Sequence, residues 1–137
     1  MSKIKIYHTP PPIYPALVKI FGVNFFRPGT LCIAYGDAIH TMQKTLPEDL
    51  IIHEQVHFKQ QREHAGGVEG WWQEYIISEK FRLTQEVEAY RTQWKYLKEN
   101  CPATYQSVMF DHIMRDLSGP TYGRIITPAD VKVLIFC

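Results

Sequence analysis

The pentapeptide His53-Glu54-Gln55-Val56-His57 constrains this chain more than any other feature of its sequence. Residues four apart on an α-helix differ in direction by only about 40°, so both imidazoles can reach one metal ion. Glu54 would then lie beside that ion, where it could hold and deprotonate a bound water. The spacing predicts a zinc-hydrolase helix, and a catalytic zinc of this kind needs a third protein ligand.

The composition is typical of an ordinary globular protein. With 137 residues, the chain is long enough for one core, and we take residues 1–137 as a single domain. A formal net charge of +1 without a basic run gives no reason to expect a nucleic acid or membrane partner. The three scattered cysteines and the lack of a signal peptide or transmembrane run predict reduced thiols and a cytoplasmic location.

The hydrophobic periodicity predicts an α+β fold, in which a small N-terminal β-hairpin or sheet precedes a mainly helical body. The predicted elements are strands at 3–7, 31–34 and 38–41, helices at 48–64, 68–80, 83–100 and 103–117, and a short element from 128 onward. The hairpin turns at Tyr35-Gly36-Asp37, and His40 on its second strand is expected at the surface, with a position facing the cleft as the alternative.

The helix over 48–64 is predicted to be central and buried. Its apolar side chains, at positions 50, 51, 52, 56 and 58, spread over most of its circumference. His53, Glu54 and His57 should therefore lie inside the protein or line a cleft. A buried Glu54 carboxylate needs a cation, a metal-bound water or a hydrogen-bond network. The alternative is a pair of hydrogen-bonded core histidines beside an arginine-paired Glu54.

The third ligand is expected from another helix. His64 shares the stripe of His57, but along a continuous helix it lies about 10 Å away, too far to reach the same ion. On the helix over 83–100, Glu86 falls at the edge of the apolar stripe, whereas Glu88 belongs to the polar face. Glu86 is therefore the predicted ligand, with Glu88 as the alternative.

The two-helix pattern resembles a known family. His-Glu-x-x-His followed by Glu-x-x-Ala, the pair Gln60-Gln61, and Leu-Ser-Gly-Pro-Thr-Tyr-Gly at 117–123 are similar to small gluzincin-type (minigluzincin-like) zinc metallopeptidases, some from tailed phages and prophages. The similarity covers roughly 50–126. It implies a zincin-like fold with the motif on a central helix, one zinc ion held by His53, His57 and Glu86, and Glu54 as the general base.

The implied reaction is hydrolysis of a peptide or protein substrate by a zinc-bound water that Glu54 activates. Tyr75, Tyr90 and Tyr122 are the candidates for stabilising the oxyanion. Larger gluzincins often place an Asp at the position of Tyr90, whose hydroxyl could instead orient a ligating imidazole. The hairpin over 31–42 is the expected edge strand for binding an extended substrate above the motif helix.

Two other functions remain open on the sequence. The chain could be a non-catalytic interaction or accessory protein, in which a structural zinc takes a fourth protein ligand; the nearest spare side chains are His64, Glu88 and His112. It could also be a helical phage-type accessory protein that carries the His53–His57 motif by coincidence.

Overall fold

The structure, a computed structural model, describes residues 4–22 and 32–136. Its elements in chain order are β1 (Lys5–Tyr7), α1 (Tyr14–Phe21), β2 (Cys32–Tyr35), β3 (Ala38–Thr41), α2 (Glu48–Glu63), α3 (Gly67–Ile77), α4 (Glu79–Asn100), α5 (Ala103–Leu117), a 3-10 turn (Pro120–Tyr122), α6 (Pro128–Val131) and a π-helical turn (Lys132–Phe136). A small sheet and a larger helical body fit the predicted α+β class. Within these ranges, no helix combines the length and the apolar character needed to cross a membrane.

The three strands form one sheet in the order β1-β3-β2, with β1 parallel and β2 antiparallel to β3. Gly36, at φ +67°, takes the first central position of the two-residue turn between β2 and β3, a position that type II′ hairpins reserve for glycine. Residues 3 and 31, where two strands were predicted to begin, lie outside the described residues. The hairpin leaves β2 as the outer strand on its side of the described sheet.

The expected surface position of His40 is wrong. Its side chain is buried, and its Nδ1 lies 2.9 Å from the carbonyl oxygen of Thr9. The rings of Tyr7 and Tyr35 lie against the imidazole. The residues that follow β1 therefore fold back over the sheet and cover β3.

Ser78 divides a region that was predicted as helices over 68–80 and 83–100. Its backbone is extended, at φ −113° and ψ 111°, so α3 ends before it and α4 begins after it. The Ser78 Oγ accepts a hydrogen bond from the backbone N–H of Phe81 at 3.0 Å, which caps the first turn of α4. Helix α4 is therefore one turn longer at its start than the apolar stripe from Leu83 indicates.

Two hydrophobic clusters of buried residues form among the described residues. The first joins α4, α5 and the C-terminal turns, and the second joins α1, β2 and α3. Helix α2 packs against α4, α3 and β2. The buried side chains of α2 are all polar: Asp49, His53, Glu54, His57, Gln60 and Gln61. The helix is central and His53, Glu54 and His57 are buried, as predicted. Its apolar residues, which were expected to be buried as well, are only half-buried.

Gln61 fixes the outer strand to the motif helix. Its Nε2 donates to the carbonyl oxygen of Ala34 at 2.8 Å, and its Oε1 accepts from the backbone N–H of Gly36 at 2.7 Å. The Gln61 side chain is fully buried. One amide thus sets the position of β2 relative to the helix that carries His53 and His57.

Candidate metal centre

Three buried ligand-type atoms meet where α2 faces α4. The Nε2 atoms of His53 and His57 lie 3.2 Å apart, and Oε1 of Glu86 lies 3.0 and 3.1 Å from them. His53 and His57 are one turn apart on α2, and Glu86 comes from the first half of α4. Glu88, the alternative ligand, is exposed. The structure therefore brings together the three residues that the sequence singled out as ligands.

The orientation of the His53 ring is set by Gln93. Oε1 of Gln93 lies 2.8 Å from Nδ1 of His53, and its Nε2 donates to Oδ2 of Asp49 at 2.7 Å. Because the Asp49 carboxylate only accepts hydrogen bonds, it holds the amide with its oxygen toward the imidazole. Nδ1 of His53 must then carry the proton, so the neutral ring presents the lone pair of Nε2 to Glu86.

Gln60 does the same for His57. Its Oε1 lies 2.8 Å from Nδ1 of His57, and its Nε2 donates to the backbone carbonyl of Gln85 at 3.0 Å. A carbonyl cannot donate, so this amide also has its oxygen toward the ring. The neutral His57 therefore presents its Nε2 lone pair to the point that His53 and Glu86 also face.

Three lone pairs this close need a cation between them. In the metal-free protein that cation is a proton: burial opposes it, but the facing Glu86 carboxylate raises the pKa of His57 to about 9. Burial also opposes ionisation of Glu86, and the two imidazoles outweigh it and lower the pKa of that carboxyl. Tetrahedral zinc, with bonds of about 2.0–2.1 Å, would separate its ligand atoms by about 3.3 Å. The observed separations fit zinc with small adjustments.

Glu54 lies beside this group without belonging to it. Its carboxylate is buried and accepts a hydrogen bond from the thiol of Cys32 on β2. Burial raises the pKa of Glu54, although His53 and His57 act in the opposite direction. A carboxylate with a raised pKa is a better proton acceptor at neutral pH, which suits a general base.

The three candidate tyrosines differ in how their hydroxyl protons are used. Tyr75 donates to Oε2 of Glu86 at 2.8 Å, and Tyr90 donates to Oδ2 of Asp116. Tyr90 does not hydrogen-bond an imidazole; its ring instead packs on that of His53, with centroids 4.5 Å apart. Tyr122 is buried and lines the cavity, and within residues 4–22 and 32–136 its hydroxyl forms no hydrogen bond to a carboxylate.

A cavity of about 550 Å³ opens beside these residues. It reaches His53, His57, Glu86 and Glu54 on one side and is walled by β2 and by a face of α5 on the others. Concave sites of this size, with a few convergent polar groups, are the usual form of small-ligand and substrate sites. The candidate metal centre is therefore accessible from a cleft of the size a peptide segment needs.

Sequence reasoning missed Gln60, Gln93 and Asp49, which orient the two histidines. The available signal was position: Gln93 lies seven residues after Glu86, two turns along the same face of α4, and Gln60 lies three after His57. The spare ligands His64, Glu88 and His112 do not belong to the group of three ligand-type atoms. His64 pairs with Glu74, with Nε2 and Oε1 2.8 Å apart, and His112 lines the cavity from the exposed side of α5.

Comparison of the chain with protein-family models, with curated proteins and with solved structures finds no match.

Proposed function

We propose that this chain is a zinc-dependent metallopeptidase of the gluzincin type, built on a minimal zincin-like domain. One observation carries the proposal: the lone pairs of His53, His57 and Glu86 converge because Gln93 and Gln60 fix the two imidazole tautomers. Core histidines that merely needed hydrogen bonds would not need their free nitrogens 3.2 Å apart. Such second partners on ligating histidines are a regular feature of metal sites.

The residues around the site suit hydrolysis of a peptide bond. A zinc ion bound there would polarise a carbonyl oxygen and bring the pKa of a water toward neutrality. Glu54 would accept a proton from the attacking water and deliver it to the leaving amine nitrogen. The Tyr122 hydroxyl would donate to the oxygen that gains charge, because its proton is not held by a carboxylate.

The outer strand β2 is suited to hold an extended substrate. In the antiparallel register set by the two-residue turn, the backbone N–H and C=O groups of Tyr35 and Ile33 point toward β3. Those of Ala34 and Cys32 therefore point toward the free edge of the sheet. Gln61 already occupies the Ala34 carbonyl. The remaining edge groups of Cys32 and Ala34, which line the cavity, are available for β-augmentation by a peptide.

The competing function is that of a non-catalytic protein with a structural zinc. That function needs a fourth protein ligand to close the site. The group that could hold a metal in ranges 4–22 and 32–136 has three residues and lies beside the cavity. An accessible position next to a buried carboxylate favours hydrolysis over a structural role.

Metal analysis of matched variants tests the proposal. The wild-type chain and Glu88→Ala should bind about one zinc per chain, and Glu86→Ala should lose it. Glu54→Gln should keep the zinc but lose cleavage of a peptide library. Absence of zinc after reconstitution, or its loss in Glu88→Ala but not in Glu86→Ala, would refute the site. If the wild type binds zinc but cleaves no peptide, the metal site would stand and the proposed peptidase function would be refuted.

A further inference from the structure

Helix α5 has two distinct faces: one is buried in the hydrophobic core, and the other lines the cavity. Ile113 and Leu117 are fully buried in the first hydrophobic cluster. A second face lines the cavity, with the residues Tyr105, Val108, Met109, His112 and Arg115. Their spacing of three, one, three and three residues forms one stripe along the helix. The stripe is turned toward the candidate metal centre rather than toward a hydrophobic core.

The chemical character of this stripe changes along its length. Its first part is mainly apolar, with Val108 and Met109, and its last part carries His112 and Arg115. Arg115 is the one arginine or lysine among the described residues that line the cavity. The guanidinium stays charged at any pH the protein meets, so the far end of the stripe is a permanent positive charge.

Arg115 is exposed, and its guanidinium lacks a carboxylate partner in the part of the chain that the structure describes. Its Nε donates to the carbonyl oxygen of Asp111 at 3.3 Å, a contact within its own helix. Across ranges 4–22 and 32–136, no salt bridge forms on its terminal nitrogens. An arginine offers five N–H donors in a planar fork that matches a carboxylate. Most of that fork is unused.

The carboxylates that line the cavity are already engaged. Asp49 accepts from Gln93 and Tyr105, Glu86 faces two histidines and Tyr75, and Glu54 takes the Cys32 thiol. None of them forms an ion pair with Arg115. The guanidinium donors at the end of α5 therefore have no carboxylate partner among the described residues that line the cavity.

This end of α5 lies close to the ligands. Tyr90 packs its ring on His53 and donates its hydroxyl to Asp116, the neighbour of Arg115 in the chain. One side chain thus separates the ligand His53 from the last turns of α5. A group bound by Arg115 would lie in the cavity that His53, His57 and Glu86 also line.

We propose that Arg115, with His112 one turn before it, forms a subsite for a carboxylate of the bound peptide. The inference rests on the proposed peptidase function and specifies its substrate class. The carboxylate belongs either to the C-terminus of the substrate or to an acidic side chain next to the cleaved bond. Two parallel N–H···O bonds from the guanidinium would orient the peptide as well as bind it. Val108 and Met109 would contact the apolar part of the same residue or its neighbour.

Binding of peptide hydroxamates to the zinc-loaded full chain tests the subsite without needing turnover. Three matched compounds are used: a neutral C-terminal amide, the same peptide with a free C-terminal carboxylate, and the amide with one Asn replaced by Asp. One of the two acidic compounds should bind about tenfold more tightly than the neutral one, and which of them does so identifies the source of the carboxylate.

The matched variants are Arg115→Gln and Arg91→Gln, the latter an exposed arginine on α4 that lines a different hollow. Arg115→Gln should remove the preference and leave zinc content and binding of the neutral compound unchanged, whereas Arg91→Gln should change nothing. Equal binding of all three compounds to the wild type, or a preference that survives Arg115→Gln, would overturn the subsite alone. Failure of zinc-loaded wild type to bind any hydroxamate would instead overturn the proposed function, and the subsite with it.

Discussion

Gln93 accepts a hydrogen bond of 2.8 Å from Nδ1 of His53, although the two residues are 40 positions apart in the chain. The same amide donates to Asp49, which lies one turn before His53 on α2. The bond therefore ties α4 to two successive turns of α2. The direction of one candidate ligand is thus controlled by a neutral side chain that contacts no metal.

Replacing Gln93 should weaken zinc binding without removing it. Gln93→Leu takes away the acceptor that fixes the His53 tautomer, and loss of such a partner costs about 10–100-fold in metal affinity. Competition with a chromophoric chelator measures the change. Gln73→Leu, at an exposed position on α3, is the control and should behave as wild type. An unchanged affinity in Gln93→Leu would mean that the ring is oriented by other contacts.

Zinc binding should release about one proton near pH 7.5. The pKa of His57 in the metal-free protein is raised to about 9, chiefly because the attraction of Glu86 outweighs burial, so the ring is protonated at that pH. Zinc needs the Nε2 lone pair and must displace this proton. Zinc affinity should therefore increase with pH up to about 9. Calorimetry in buffers of different ionisation enthalpy gives the proton count, and a heat independent of buffer would contradict the assignment.

Two tyrosine variants should separate catalysis from metal binding. Tyr122→Phe removes the hydroxyl proposed to donate to the oxyanion and should lower kcat by about 10²–10³, with zinc content unchanged. Tyr75→Phe removes the 2.8 Å hydrogen bond to Glu86 and should weaken zinc binding. Kinetics and metal analysis on both variants are compared. A Tyr122→Phe enzyme with wild-type kcat would exclude that hydroxyl from the reaction.

Gln61→Leu should destabilise the fold rather than the metal centre. The change leaves the carbonyl of Ala34 and the N–H of Gly36 without their partner, which costs about 1–3 kcal/mol for each buried group left unsatisfied. Urea unfolding of the metal-free protein measures the loss. Gln55→Leu, on the exposed side of the same helix, should unfold like wild type. Equal stability of the two variants would mean that water replaces both hydrogen bonds.

Spacing along helices was informative because helical geometry is local. The four-residue step between His53 and His57 places both imidazoles on one face whatever surrounds them. The position of Glu86 at the edge of an apolar stripe agrees with its burial, and Glu88 on the polar face is exposed. These inferences needed only the period of α2 and α4.

The polar character of the whole buried face of α2 could not be deduced in the same way. Because apolar side chains spread over most of the helix, Ile51, Ile52 and Val56 were expected to be buried together with the motif residues, yet all three are only half-buried. The six polar residues that are actually buried are compatible with burial only because partners on α4 and β2 satisfy them. Those partners are distant in sequence, and a neutral glutamine such as Gln93 resembles a surface residue until its neighbours are known.

The polar face of α2 also determines how the helix can be aligned. Neither hydrophobic cluster takes a buried side chain from α2. An interface of hydrocarbon side chains tolerates small shifts, but one made of directional hydrogen bonds does not. Sliding α2 by one residue, about 1.5 Å, would unpair Asp49, His53, His57 and Gln61 together. The helix therefore has a single register against α4 and β2, the one in which the three ligand-type atoms meet.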